Sequence, residues 1–180
     1  EPDEADRVAE GNPAHGSQRR DDLLRQCNAT YAAMVETMDT NVGRILDVLD
    51  VSGLAKNTLV IFTSDNGGLN QHDLGRRPVT SNAPLRSGKG WLYEGGVRVP
   101  WIVRLPGVTA EASLCEHPIV ATDLSPTVLD LCGLPPRPDL HLDGRSFGRL
   151  LEGGSEPIHD TLFWHFPHYG NTGSGPCSSV

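Results

Sequence analysis

Apolar residues return at three- and four-residue steps along one long stretch: Tyr31, Met34, Val35, Met38, Val42, Ile45, Leu46 and Leu49. That spacing puts them on one stripe of a helix, predicted from Asp21 or Asp22 to Val51. Ser52-Gly53 ends it, with Gly53 as the residue just past the terminus. The stripe predicts a helix that covers a sheet. Met34 and Met38 are then core residues, and Glu36, Asp39 and Asp47 form the solvated face. After a short turn comes a different pattern, an apolar run from Leu59 to Phe62 that closes abruptly in Ser64-Asp65-Asn66-Gly67-Gly68. A short apolar run ended by glycine predicts a buried strand opening into a loop. Helix, short loop and buried strand together form the αβ half of a layered α/β fold.

The remaining pattern is less periodic. Residues 67–98 predict a long loop, a feature that ordered domains seldom carry without a functional reason. Val99 to Leu105 predicts a strand, with Pro100 at its start where the missing N–H is tolerated. Pro118 to Ala121 predicts another short strand. Thr122 or Asp123 then caps a helix running through Cys132 and ended by Gly133, with Pro126 in its first turn. Cys132 is expected to be a small buried residue on that helix. Pro135-Pro-Arg-Pro138 predicts a stiff linker, Leu142 to Leu151 a turn followed by a short helix, and Thr161 to Phe166 a further strand. Residues 1–20, with Gly11, Pro13 and Gly16, predict a polar loop containing a solvated His15.

Composition narrows the function classes. The chain has 180 residues, 37% of them hydrophobic and 21% charged, which fits a globular domain with a sizeable core. A formal net charge of −8 argues against general nucleic-acid binding, which needs a basic face. No apolar run reaches the roughly 18–20 residues that cross a bilayer. The four cysteines, Cys27, Cys115, Cys132 and Cys177, form no CxxC pair, so a zinc site is not expected.

Two places carry candidate chemistry. Asp65 and Asn66 stand where the first strand ends, and in open α/β sheets ligands bind at that end. A carboxylate beside an amide oxygen suits Ca²⁺ or Mg²⁺, while the same four residues, Asp-Asn-Gly-Gly, also make an ordinary turn. Lys89 lies between Gly88 and Gly90, so the backbone can come close to whatever its ammonium binds; an exposed turn lysine has the same pattern. Arg86, Glu94 and Arg98 are candidate ligand contacts, with structural ion pairs inside the long loop as the expected role of Glu94 and Arg98. Asp123 is accounted for as a helix cap.

Taken in order, these pieces resemble the type I, formylglycine-dependent sulfatases of the alkaline-phosphatase-like superfamily. The resemblance spans roughly residues 28 to 180. It rests on Tyr31-Ala-Ala-Met-Val-Glu-Thr-Met-Asp39, on Leu59-Val-Ile-Phe-Thr-Ser-Asp-Asn-Gly-Gly68, and on Leu85-Arg-Ser-Gly-Lys-Gly90 with Tyr93-Glu-Gly-Gly-Val-Arg-Val-Pro100. Thr122-Asp-Leu-Ser-Pro-Thr-Val-Leu129 and Leu142-Asp-Gly-Arg-Ser146 complete it.

The resemblance implies an α/β fold: part of an alkaline-phosphatase-like sheet with flanking helices, plus the start of a smaller C-terminal subdomain. Residues 21–134 correspond to the C-terminal part of the catalytic domain, and 135–180 to a linker and the beginning of the subdomain. It implies hydrolysis of sulfate monoesters, with Asp65 and Asn66 as divalent-metal ligands (Ca²⁺, with Mg²⁺ possible) and Lys89 contacting the sulfate. Trp164-His-Phe-Pro-His-Tyr169 is similar to a stretch in some sulfatases, which makes His168 a candidate substrate contact. It also implies a periplasmic or secreted location.

The departures are specific. The C/S-x-P-x-R sequence from which the family makes its formylglycine nucleophile does not occur in residues 1–180. The family's first metal pair, two aspartates after a strand, is unmatched: Asp21-Asp22 is expected to be helix-start charge. The chain therefore reads as a fragment that carries half of the metal cage and one sulfate contact, with the formylglycine expected in a missing N-terminal part. A phosphate or phosphonate monoester hydrolase of the same superfamily, and a non-catalytic scaffold with sulfatase parts, are the two alternatives.

Overall fold

In the computed structural model, residues 7–10, 20–70, 78–169 and 174–180 are described. In chain order they form β1 (Arg7–Glu10), β2 (Arg20–Leu23), α1 (Ala29–Val51), β3 (Val60–Thr63), α2 (Glu94–Val97), β4 (Trp101–Arg104), α3 (Leu124–Leu131), α4 (Gly148–Leu151), β5 (Trp164–Phe166) and β6 (Cys177–Ser179). Single 3-10 turns occur at Ala55–Asn57 and Ala121–Asp123. The strands pair two by two, β1 with β2, β3 with β4 and β5 with β6. The chain divides into two compact units. One draws on Glu1–Ser52, Ile61–Ile102 and Phe163–Val180, the other on Gly53–Val60 and Val103–Leu162.

In the first unit the long helix is present, but it starts later than the pattern predicts. Asn28 is its N-cap, and the Asn28 side chain accepts a hydrogen bond from the Tyr31 N–H at 3.0 Å. A short polar side chain of this kind satisfies a donor that the first helical turn leaves open. Asp21 and Asp22, expected to open the helix, lie instead in β2, which pairs antiparallel with β1 so that Arg7 stands opposite Leu23 and Glu10 opposite Arg20. Residues 7–10 are thus strand, not the loop expected across 1–20; His15 lies outside the described residues. The physical reason is Leu23. It is 1% exposed, and its N–H is held by the Asn70 carbonyl at 3.0 Å, which commits this stretch to an extended path.

The expected burial of the α1 stripe is also corrected. No residue of α1 is buried, and Met34, Met38, Ile45 and Val48 are all exposed. The periodicity made the helix, but its apolar stripe is covered only in part: Tyr31, Val42, Leu46 and Leu49 are half-buried and none is buried. The end is as expected: Gly53 follows with φ +69°, the left-handed conformation that glycine adopts without a steric penalty.

β3 begins one residue later than predicted and is half-buried rather than buried. The described residues of the long loop that follows are largely irregular, as expected, but they include a turn of helix, α2, which periodicity does not reveal. The Gly96 and Val97 N–H groups both donate to the Tyr93 carbonyl, at 2.8 and 3.2 Å. The Glu94–Arg98 ion pair forms across that turn at 3.4 Å. β5 falls inside the strand predicted at 161–166, and β6, its antiparallel partner, was not anticipated.

In the second unit the core is Phe147, Leu150 and Ile158, with buried Asp123 and Thr127. No strand forms at 118–121; the chain goes from extended Val120 straight into the 3-10 turn. α3 and α4 occupy their predicted places. Gly133, with φ +65°, ends α3, and the Leu134 N–H returns to the Leu129 carbonyl at 2.9 Å. Cys132 is exposed, contrary to the expectation of burial, because it is the C-cap of α3 and not part of its covered face.

Asp123 does not cap α3 through its side chain. Its carboxylate accepts from the Val120 N–H at 2.9 Å and from the Arg145 N–H at 2.8 Å, and it meets His159 Nε2 at 2.9 Å. The Thr127 hydroxyl donates to the Asp123 carbonyl at 2.6 Å and accepts the Phe147 N–H at 3.0 Å. One carboxylate and one hydroxyl therefore tie the start of α3 to the 145–147 segment and to His159. This arrangement satisfies the buried polar groups that an apolar core alone would leave unpaired.

Candidate active-site edge

β3 ends at Thr63, and the chain turns at once through Ser64, Asp65 and Asn66. The turn is held locally. The Ser64 hydroxyl donates to the Asn66 carbonyl at 2.9 Å, and the Asn66 amide nitrogen donates to the Gly67 carbonyl at 3.0 Å. With its nitrogen so engaged, Asn66 presents its amide oxygen as the remaining coordinating atom. Asp65 is exposed and makes no hydrogen bond or ion pair among the described residues. A carboxylate and an amide oxygen, adjacent and with no cationic partner for Asp65 among the described residues, fit a hard divalent cation. They supply part of a coordination shell: among the described residues no group of three or more His, Cys, Asp or Glu side chains converges to complete it.

Lys89 is reached from a second direction. The Gly88–Trp91 segment closes a turn, with the Trp91 N–H donating to the Gly88 carbonyl at 3.1 Å. Gly90 sits at the third position with φ +87°, which is the glycine position of a type II turn. Lys89 is exposed and has no ion-pair partner among the described residues.

The two loops meet through their backbones. The Lys89 N–H donates to the Gly68 carbonyl at 3.1 Å, and the Gly67 N–H donates to the Gly96 carbonyl at 2.9 Å. A side chain on Gly67 would run into the Gly95 carbonyl oxygen, and one on Gly88 would run into the Gly68 carbonyl and the Asn70 and Asn82 amides. The glycine before Lys89 thus lets one loop approach another rather than a bound ligand, and the glycine after it serves the turn.

Three further residues take part that sequence patterning did not single out. Asn82 bridges the loops through its side-chain amide. Ser87 is fully buried at φ +61°, an uncommon left-handed conformation for a residue with a side chain. Asn70 is buried beside Gly88. Asn82 stands 14 residues from Gly68, so no local signal marks it; a polar residue ahead of the Leu85-Arg-Ser-Gly-Lys stretch was the one available hint.

Next to this edge lies a cavity of about 240 Å³, lined by Trp91, Leu92, Tyr93 and residues 174–179. The Trp91 and Tyr93 rings stack with centroids 6.0 Å apart, and the Arg86 guanidinium carbon lies 3.8 Å from the Tyr93 centroid, a cation–π arrangement. His168, the other expected substrate contact, is exposed just past β5. Its ring meets Phe166 edge-on at 5.7 Å, and it is not among the residues lining this cavity. No described helix is long and apolar enough to cross a membrane.

Comparison with known proteins gives the family of the chain. The profile of the sulfatase family matches residues 2–134, well over half of the chain, starting earlier and stopping sooner than the resemblance read from motifs. A protein described as a sulfatase from Formosa agariphila is 41% identical over 169 residues, covering 87% of this chain and 29% of that protein. The steryl-sulfatase of Mus musculus is 39% identical over 144 residues, covering 79% of this chain and 23% of the relative. The crystal structure of Ps i-CgsB in complex with k-i-k-neocarrahexaose aligns with a TM-score of 0.60 at 38% identity, covering 67% of this chain and 25% of that one. The chain thus spans under a third of the length of these relatives. Its mixture of helices and strands is α/β, of the alkaline-phosphatase-like kind that its structural neighbours have. The chain belongs to the sulfatase family.

Proposed function

We propose that this chain supplies one edge of the active site of a sulfuric ester hydrolase, with Asp65 and Asn66 as metal ligands and Lys89 as the sulfate contact. The observation that carries this reading is the backbone junction between the two loops. The Lys89 N–H bonds to the Gly68 carbonyl at 3.1 Å, two residues past Asn66, so an ammonium and a pair of oxygen donors issue from one crossing. A sulfate monoester is a tetrahedral anion whose charge builds on its oxygens and on the leaving oxygen as the S–O bond breaks. Fixed positive charge at that place stabilises the transition state more than the ground state.

Lys89 binds and orients the anion as a compact point charge. Among the described residues no carboxylate pairs with it. Asp65 and Asn66 would hold Ca²⁺, or Mg²⁺ in its place, and a bound divalent ion supplies Lewis-acid stabilisation to the sulfate oxygens. The C/S-x-P-x-R sequence from which a formylglycine nucleophile would be made does not occur in residues 1–180.

The test uses a chromogenic aryl sulfate and the matching aryl phosphate. The enzyme that contains this chain hydrolyses the sulfate in preference, is inhibited by chelation of divalent ions, and loses on the order of 10²–10³ in kcat on Lys89→Ala. Residues 1–180 alone give no turnover. Preference for the phosphate ester would overturn the sulfatase reading. Full activity of Lys89→Ala would remove Lys89 from the site.

A further inference from the structure

Asn82 holds a place that neither candidate loop could hold for itself. Its amide oxygen accepts the Gly68 N–H at 3.1 Å, and its amide nitrogen donates to the Gly68 carbonyl at 2.9 Å and to the Ser87 carbonyl at 3.0 Å. Towards Gly68 the side chain behaves as a neighbouring strand would, filling both the donor and the acceptor of one residue. Towards Ser87 it holds a buried carbonyl whose residue is already in the left-handed region at φ +61°. The Gly68 carbonyl that it grips is also the acceptor of the Lys89 N–H. A side chain on Gly88, between Ser87 and Lys89, would run into the Asn82 amide nitrogen.

We infer that Asn82 is a positioning residue that sets where Lys89 stands relative to Asp65 and Asn66. This rests on the reading of those three residues as the sulfate-binding edge. The chemistry requires an amide. Aspartate has the same shape but no N–H, so it would set a carboxylate against two carbonyl oxygens. Leucine would take the acceptor from the Gly68 N–H and the amide donor from both carbonyls. Serine is too short to reach both loops. A displacement of the order of 1 Å at a reacting group lowers turnover on the order of 10²-fold, and release of the 87–89 segment from Gly68 is a displacement of that kind.

The experiment is a double-mutant cycle in the enzyme that contains this chain, with 4-nitrophenyl sulfate as substrate. The variants are Asn82→Asp, Lys89→Ala and the pair together. Asn82→Asp is expected to lower kcat about 30- to 100-fold, with KM changed less than about threefold. In the Lys89→Ala background the same change costs less than about twofold, because its effect travels through Lys89. The deficit of Asn82→Asp also narrows towards acid pH, where a protonated carboxyl regains one O–H donor for a carbonyl. Independent, multiplying effects would overturn the inference and leave Asn82 a merely structural residue; so would Asn82→Asp turnover within threefold of the parent. If Lys89→Ala keeps full activity, the sulfate-edge reading itself has failed, which is a separate outcome. If Asn82→Asp does not fold, Asn82→Ser enters the same cycle under the same criteria.

Discussion

Replacing Asp123 with alanine isolates the cost of the buried clamp in the second unit. The carboxylate is fully buried and meets three donors: the Val120 and Arg145 N–H groups and His159 Nε2. Alanine removes the acceptor from all three at once. Val120 is only half-buried and Arg145 is exposed, so water reaches their backbone groups in part, and each lost bond costs about 1 kcal/mol. The His159 side chain is 7% exposed, and its ring nitrogen loses a partner where water is excluded, at about 1–2 kcal/mol. Asp123→Ala is therefore expected to destabilise by about 3–4 kcal/mol, a large part of a typical domain stability of roughly 5–15 kcal/mol. Asp123→Asn keeps one acceptor and turns an N–H₂ towards a donor, so about 1–2 kcal/mol is expected. The assay is urea unfolding followed by far-UV circular dichroism. With a slope of about 2 kcal/mol/M, alanine moves the midpoint down by about 1.5–2 M and asparagine by under 1 M. A shift below 0.5 M for alanine, or equal shifts for both variants, would refute the clamp.

Three other outcomes follow from features already described. Gly67→Ala pushes a methyl into the Gly95 carbonyl and is expected to destabilise by about 2 kcal/mol or more, read from the thermal midpoint, because a backbone atom cannot rotate aside. Asp139 receives both the Nε–H and an Nη–H of Arg137, at 3.2 and 3.1 Å, which lowers its pKa below the ordinary aspartate value. A depressed folded pKa gives a contribution that is present above the unfolded pKa and lost as pH falls through the folded one; NMR titration should place the Asp139 midpoint on that acid side, and Arg137→Gln should raise it. The exposed Glu94–Arg98 pair should matter little: Glu94→Gln changes stability by under about 0.5 kcal/mol, measured by urea unfolding at low and high salt.

What was legible in the chain was what is local. The Tyr31-to-Leu49 spacing marks α1, and Gly53 and Gly133 mark helix ends, because a helix repeats every few residues and stops on a residue that tolerates positive φ. That Glu94 and Arg98 serve ion pairs inside the loop was equally readable, but their pairing with each other was not, because it needs the helical turn α2. The start of α1 was not, since Asp21-Asp22 has the charge of a helix start and the deciding contact, Leu23 with Asn70, joins residues far apart in sequence. The same holds for Asn82 and for the Asp123–His159 clamp, 36 residues apart. Asp65, Asn66 and Lys89 stood out as residue types, but their common crossing depends on backbone bonds between loops, which have no periodicity to betray them.

The crossing of these loops constrains how the protein can change. At Gly67, Gly95 and Gly96 the obstacle to a side chain is another stretch of main chain, so no second substitution elsewhere could trim it away. The route of the polypeptide past Lys89 is consequently inherited whole. Side chains that hang from this junction, such as Trp91 and Tyr93 at the neighbouring cavity, can vary where the main chain cannot.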